Sequence, residues 1–321
     1  REQIERKNKM VNKLLNIKTI KAFEEALNVP IGTLQNLKQK TLYNKRFKRK
    51  KDGYWREINT PSNELKLILR NIHDNLITIE KPKYLHSAYP KMNSFTNAKA
   101  HKNFRNHICL DIFNFYKNSQ AKYVKDFALN SLKMSEEVAN YFVMLTTFEG
   151  HLATGAPSSP VLSALIHKPV FDKIAKKMEA NNLFFTLYFD DISISSNGRI
   201  CNWVEKYVKN SLKGHCLYLK KSKTKRFGFK GAHICKLRIT QSKKLEMPFA
   251  IGHSIVNILE RKNVNLMNLK EVRSLISRIG YCRKLNNKFK ITKSLAIKRL
   301  IFLNQQSKFQ KLATKLVRCI N

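Results

Sequence analysis

Tyr188-Phe189-Asp190-Asp191 constrains this chain more than any other stretch, because two adjacent carboxylates close an apolar strand pair that does not need them to fold. The segment from Thr186 to Ser195 reads as two short strands joined by a two-residue loop at the aspartates. In that register Phe189 faces Ile192 and Leu187 faces Ile194. Side chains alternate along strands, so these four share one buried face while Thr186, Tyr188, Ser193 and Ser195 line the other. Neither aspartate is the Gly or Asn that tight hairpin turns favour, which predicts a strained and doubly negative loop. Two carboxylates ~4 Å apart repel by roughly 4 kcal/mol at an effective dielectric of about 20. A bound divalent cation reverses that sign.

An Asp-Asp pair alone is more often a solvated hairpin tip than a metal site. The surrounding charge shifts the balance. The chain carries 62 Lys+Arg against 22 Asp+Glu, a formal net charge of +40, yet no Lys or Arg falls between Thr186 and Gly198. A carboxylate site kept inside so basic a molecule suits an enzyme that grips a polyanion through its backbone and performs metal chemistry on phosphate.

With 321 residues, 43% of them hydrophobic, the chain has room for two or three subdomains around a real core. No run of about 18 apolar residues is present, so no membrane partner is expected. Cys109, Cys201, Cys216, Cys235, Cys282 and Cys319 lack paired spacing, which predicts reduced thiols and a cytoplasmic location. Neither His215-Cys216 nor His233 with Cys235 has zinc-ligand spacing. No signal peptide is visible, and the opening at Arg1 leads us to expect residues upstream of it.

Along the chain, residues 1–40 read as helical, interrupted at Pro30-Ile31-Gly32. The basic burst Lys45 to Lys51, the turn Asp52-Gly53 and Tyr54 to Ile58 predict a hairpin with a cationic tip. Its cations interleave with Phe47, Tyr54 and Trp55, and both a solvated charge run and a surface for phosphate and base stacking fit that pattern. A helix is expected to start at Thr60-Pro61-Ser62 with Leu65, Ile68, Leu69, Ile72 and Leu76 inward. His107 to Ile112 is an apolar strand carrying Asp111, 121–147 and Val161 to Met178 are helical, and Gly155 to Pro160 is a loop. Beyond the aspartates come a helix over Ile200 to Leu212, a strand at Cys216 to Leu219, a basic turn at Lys220 to Lys225, and short strands at His233 to Thr240 and near Phe249. A basic helical module then runs from Ser254 to Asn321.

The order of these parts resembles a reverse transcriptase, and among these the bacterial retron enzymes, over roughly Leu42 to Leu285. Asp111, followed five residues later by Tyr116, resembles the first catalytic strand, and Tyr188 to Asp191 resembles the Tyr-x-Asp-Asp box. Gly155-Ala156-Pro157-Ser158-Ser159-Pro160 is similar to the nucleotide-pocket motif shared with group II intron enzymes, and Asn97-Ala98-Lys99-Ala100-His101 to the retron Asn-Ala-x-x-His element. The chain departs from the pattern at Thr154, where many relatives carry Gln, and at Phe189, where retron enzymes usually have Ala. It departs again at Ile234-Cys235-Lys236, where a Val-Thr-Gly is expected.

The resemblance implies an α+β right-hand polymerase: an N-terminal helical extension (1–40), fingers (41–106 and 120–152), a ferredoxin-like palm sheet (107–119 and 153–248) and a helical thumb (249–321). It implies that Asp111, Asp190 and Asp191, with the Ile112 carbonyl, hold two Mg²⁺ ions. Lys50, Lys51, Arg56 and Lys223 would surround the triphosphate, Tyr116 would gate the sugar, and Gly155, Ala156 and Pro157 would wall the nascent pair. Asn97 and His101 would be retron-specific residues with a structural or RNA-contact role. The implied partners are a cognate structured noncoding RNA, dNTPs, a branched RNA-linked single-stranded DNA (msDNA) product and an effector protein in anti-phage defence. Another prokaryotic reverse transcriptase, of abortive-infection, diversity-generating or group II intron type, and a non-catalytic RNA-binding scaffold remain the alternatives.

Overall fold

The alternating apolar text around both aspartate segments folds into one antiparallel sheet, and the rest of the first half of the chain packs to support it. The computed structural model describes residues 12–49, 53–246 and 268–282. They fall into two units, residues 1–229 and 230–321. The expected 153–248 segment extends across that boundary.

In the first unit, α1 (Ile20–Ala26) starts at Thr19, whose hydroxyl accepts from Ala22 N at 3.2 Å. The helix expected over the preceding residues is absent from 12–18, where Asn16 takes a left-handed conformation (φ 59°) and so breaks the helical path. After Gly32 comes α2 (Thr33–Leu37). Strands β1 (Tyr43–Arg49) and β2 (Trp55–Pro61) form the expected hairpin, paired from Tyr43↔Pro61 to Arg49↔Trp55. Lys50, Lys51 and Asp52 lie outside the described residues.

Thr60 and Pro61 finish β2 and do not open the next helix. Instead Ser62 caps α3 (Asn63–Leu76), accepting from Leu65 N at 3.2 Å. Leu65, Ile68, Leu69, Ile72 and Leu76 are buried as the spacing predicts, each worth roughly 1.5–3 kcal/mol against exposure. A capping box between Asn93 and Thr96 opens α4 (Ser94–His101).

Then come β3 (Asn106–Phe113) and the single turn α5 (Phe115–Asn118). The helical text of 121–147 splits into α6 (Ala121–Asn130) and α7 (Glu136–Thr146) around left-handed Lys133. The two-residue strands β4 (Thr147–Phe148) and β5 (His151–Leu152) pair next. The Val161–Met178 text also splits, into α8 (Ser159–Ile166) and α9 (Lys168–Glu179), because Pro169 cannot donate back into a continuous helix.

The sheet is completed by β6 (Phe184–Tyr188), β7 (Asp191–Ser196), β8 (Tyr218–Leu219) and β9 (Lys225–Phe227). Between β7 and β8 lies α10 (Asn202–Lys213), and a 3₁₀ turn at Lys221–Lys223 precedes β9. Its order is β6-β7-β3-β8, with β9 also pairing β3. The central strand β3 thus carries β7 along Asn106–Asp111 on one side, and β9 and then β8 on the other. Phe185, Leu187, Ile192 and Ile194 belong to the same buried core as Val170, Phe171 and Ile174 of α9.

In the second unit β10 (Ala232–Ile234), β11 (Leu237–Ile239) and β12 (Leu245–Glu246) form a meander. Cys235 and Lys236, both at positive φ, make its first turn. α11 (Leu269–Cys282) is the described part of the expected helical module, and the strand expected near Phe249 lies outside the described residues. Among the described residues no helix is long and apolar enough to cross a membrane.

Candidate active site

The aspartate hairpin turns one residue earlier than its sequence suggests. Tyr188 pairs with Asp191 and Leu187 with Ile192, so the two-residue loop is Phe189-Asp190 and Asp191 opens β7. The apolar face is then Phe185, Leu187, Ile192 and Ile194, with Leu187 in the place opposite Ile192 expected for Phe189 and Phe185 in the place opposite Ile194 expected for Leu187. Phe189 sits in the loop at φ 55°. The opposite face is buried as well: Thr186 and Ser195 are 0% exposed, Ser193 2%.

This register aligns Asp191 directly with Asp111 of β3; directly opposed residues on antiparallel strands have Cβ atoms about 4.5–5.5 Å apart. Asp190 is held beside them, its carbonyl accepting from Ile112 N at 2.9 Å. Lys223 on the 3₁₀ turn donates to Asp111 Oδ2 at 2.5 Å, and Lys220 N donates to Asp111 O at 2.8 Å. Three carboxylates from two segments distant in sequence are thereby gathered at one end of the sheet.

The electrostatics show the crowding. Burial, and behind it the charge of Asp111, raise the Asp190 carboxyl above its ordinary value, while Lys223 and Arg56 pull the other way. Burial would lower Lys223, but its hydrogen bond to Asp111 and the three carboxylate charges leave it raised. Tyr116 is raised by burial and then by Asp190, with Arg56 opposing.

A cleft of about 650 Å³ opens over these groups. Asp111, Ile112, Phe113, Tyr116, Asp190 and Lys223 line its floor side, with Lys220 beside them. The hairpin contributes Phe47, Trp55, Arg56 and Glu57. Phe47 and Trp55 are 61% and 64% exposed. Lys117 donates to Glu57 at 2.8 Å, joining α5 to the hairpin. That pair, 60 residues apart, has no local signal in the sequence, and neither has the exposed Phe113.

The structure brings Arg56, Tyr116 and Lys223 together with the three aspartates. It does not bring in Gly155, Ala156 or Pro157; their neighbours Thr154 and Pro160 line the cleft instead. Gly155, at φ 112°, backs onto β2, where a Cβ would stand 2.9 Å from Ile58 Cγ2 and 3.3 Å from Asn59 O. Asn59 locks that approach: its N donates to Thr154 O at 2.7 Å, and its side-chain oxygen accepts from Thr154 N at 2.9 Å. Gly155 fits loop against hairpin.

Asn97 and His101 are both 0% exposed. His101 engages Ser195 Oγ through Nδ1 at 2.6 Å and Thr186 Oγ1 through Nε2 at 2.7 Å. It thus bridges β6 and β7 beneath the aspartates. Burial at such depth argues for the structural role and against RNA contact.

Among the described residues no three His, Cys, Asp or Glu side chains already gather as a metal cage. The donor chemistry nonetheless fits a hard divalent cation, since Asp111, Asp190 and Asp191 offer carboxylate oxygens and a strong enough field to hold a Lys ammonium on Asp111.

Residues 48–249 match the family described as reverse transcriptase (RNA-dependent DNA polymerase). The chain is 28% identical over 174 residues to the Retron Se72 reverse transcriptase of Salmonella heidelberg (strain 579083-10), covering 53% of this chain and 46% of that protein. It is 24% identical over 230 residues to the Retron Ec48 reverse transcriptase of Escherichia coli, covering 66% and 56%. The chain spans about half the length of the curated relatives it matches.

Proposed function

This chain belongs to the reverse transcriptase (RNA-dependent DNA polymerase) family, and from that premise we propose that it is a retron-type RNA-directed DNA polymerase. It copies part of a cognate structured noncoding RNA into branched RNA-linked single-stranded DNA, in the cytoplasm, as one component of an anti-phage system with an effector protein. The observation that carries the reading is the direct alignment of Asp111 with Asp191 across β3 and β7, with Asp190 in the adjoining loop.

Asp111, Asp190, Asp191 and the Ile112 carbonyl are the groups that would hold Mg²⁺, two ions per site. Bound there, the metal would activate the primer hydroxyl and neutralise charge on the triphosphate. The chain's own residues do the positioning. Arg56 and Lys223 place positive charge along the cleft where the phosphates of a dNTP lie. Lys50 and Lys51, which fall between β1 and β2 in the sequence, would add to that charge. Tyr116, packed beside Asp190, occupies the floor where a sugar 2′-hydroxyl would press. Phe47 and Trp55 offer stacking surface for bases. Segments 41–106 and 120–152 would act as fingers, 107–119 and 153–248 as palm, 249–321 as a thumb on the A-form duplex, and 1–40 as an N-terminal helical extension.

The test is to purify the native complex and digest its nucleic acid separately with RNase and DNase, comparing wild type with Asp190→Asn/Asp191→Asn. A DNase-sensitive product attached to RNA, and lost in the double variant, is expected. RNA alone in both preparations would overturn the reading in favour of a scaffold.

A further inference from the structure

The tip of the aspartate hairpin is gripped by a segment for which the proposed reaction has no use. Between α3 and α4 the chain runs beside β6: Leu187 N donates to Tyr84 O at 2.8 Å, His86 N donates to Leu187 O at 2.9 Å, and Leu85 bridges Leu187 in parallel. This extra edge delivers Ser87 to the loop, where its hydroxyl accepts from Phe189 N at 2.9 Å. Ser87 is 1% exposed, and its carbonyl accepts from Tyr89 N at 2.8 Å, so the residue is fixed on its own side.

Phe189 needs such a hold. A bulky side chain disfavours φ 55°, and a two-residue turn leaves the amide of its first loop residue to be satisfied from outside the ladder. Ile112 N secures the next residue through Asp190 O. The loop is therefore pinned at Phe189 N from one segment and at Asp190 O from another, and the direction of the Asp190 side chain follows from both.

We propose that Ser87 is a positioning residue for the catalytic carboxylates: its hydroxyl holds Phe189 in the left-handed conformation that sets Asp190 beside Asp111 and Asp191. This inference rests on the polymerase reading of those aspartates. It assigns the 82–89 segment, whose sequence carries no catalytic motif, a share in the geometry of the site.

The test compares wild type, Ser87→Ala, Phe189→Gly and the double variant. Hydrogen exchange followed by mass spectrometry reads the contact without any need for activity. Peptides covering 187–192 should exchange about tenfold faster in Ser87→Ala, as loss of one hydrogen bond implies, while peptides covering 107–110 of β3 stay unchanged. With an RNA template and annealed primer, Ser87→Ala should lower kcat by about tenfold and raise the half-saturating Mg²⁺ concentration, leaving the dNTP KM within about twofold.

Glycine adopts positive φ without strain, so removing the Ser87 hydroxyl in the Phe189→Gly background should cost far less than in wild type. Equal losses in both backgrounds would overturn the proposal, because the hydroxyl would then act elsewhere than on Phe189. So would faster exchange in 107–110 together with a lowered Tm, which marks a general loss of fold. A wild type that incorporates no nucleotide refutes the polymerase reading, and the exchange comparison still decides whether Ser87 holds the tip.

Discussion

Tyr116 shows how much a single position depends on its neighbours. Its ring packs against Phe115 at 5.8 Å between centroids, and it lies in reach of the charges of Asp190 and Arg56. As the sugar gate we propose, it would work by volume. Tyr116→Ala should raise the ratio of ribonucleotide to deoxyribonucleotide incorporation by roughly 10- to 100-fold, the range that shape discrimination in a pocket supplies. Competitive single-nucleotide extension measures that ratio, and an unchanged ratio would return Tyr116 to an ordinary core aromatic. Asp190 and Asp191 were legible in the sequence because they stand together in cation-free text, whereas Asp111 was legible only through the family resemblance. Ser87 was not legible, since one serine in a loop resembles any other until the fold brings it 102 positions along the chain to Phe189.

At the scale of elements, the site depends on how loops seat against strands. Gly155 is the clearest case, because its missing Cβ is what lets the 153–157 loop lie against Ile58 and Asn59. Gly155→Ala adds both a 2.9 Å contact and a strained φ, for a cost of about 1–3 kcal/mol. At about 2–4 °C per kcal/mol, thermal melting should show a drop of several degrees. A Tm equal to wild type would show that the loop and hairpin can part freely.

The helix and strand types were well expressed in the sequence, as the inward stripe of α3 and the alternation of β3 illustrate. Element ends were less so. Pro169, Lys133 and Asn16 each divide text whose apolar spacing alone reads as continuous, because periodicity senses the buried face and not the backbone conformation between two helices.

For the whole first unit, buried neutral histidines couple stability to pH. His101 and His167 are both 0% exposed. Burial, then the neighbouring His107 and His86, hold His101 well below its ordinary value; burial, then His215, lowers His167 to about 3. In the unfolded chain each takes up a proton near pH 6.5. Their contribution is therefore intact above about pH 6.5 and falls as the pH drops toward the folded values. Each removes up to about 1.4 kcal/mol per pH unit in that window. Urea unfolding between pH 7.5 and 5.0 should show the midpoint falling, with a shallower fall in His167→Gln. A midpoint that does not move with pH would refute this account.

The sequence by itself determined the paired carboxylates in a molecule of net charge +40, the resemblance that adds Asp111 to them, and the alternation that makes their strands. It could not determine where the hairpin turns. Phe185, Leu187 and Phe189 all lie on the same parity of one strand, so turns at Phe189-Asp190 and at Asp190-Asp191 both leave an apolar face, and local pattern cannot separate them. Tertiary structure decided it. Pairing of β7 with β3 sets Asp191 opposite Asp111, and the amide of Phe189 finds the Ser87 hydroxyl. Both contacts join residues distant in the chain, and such contacts exist only once the sheet has closed.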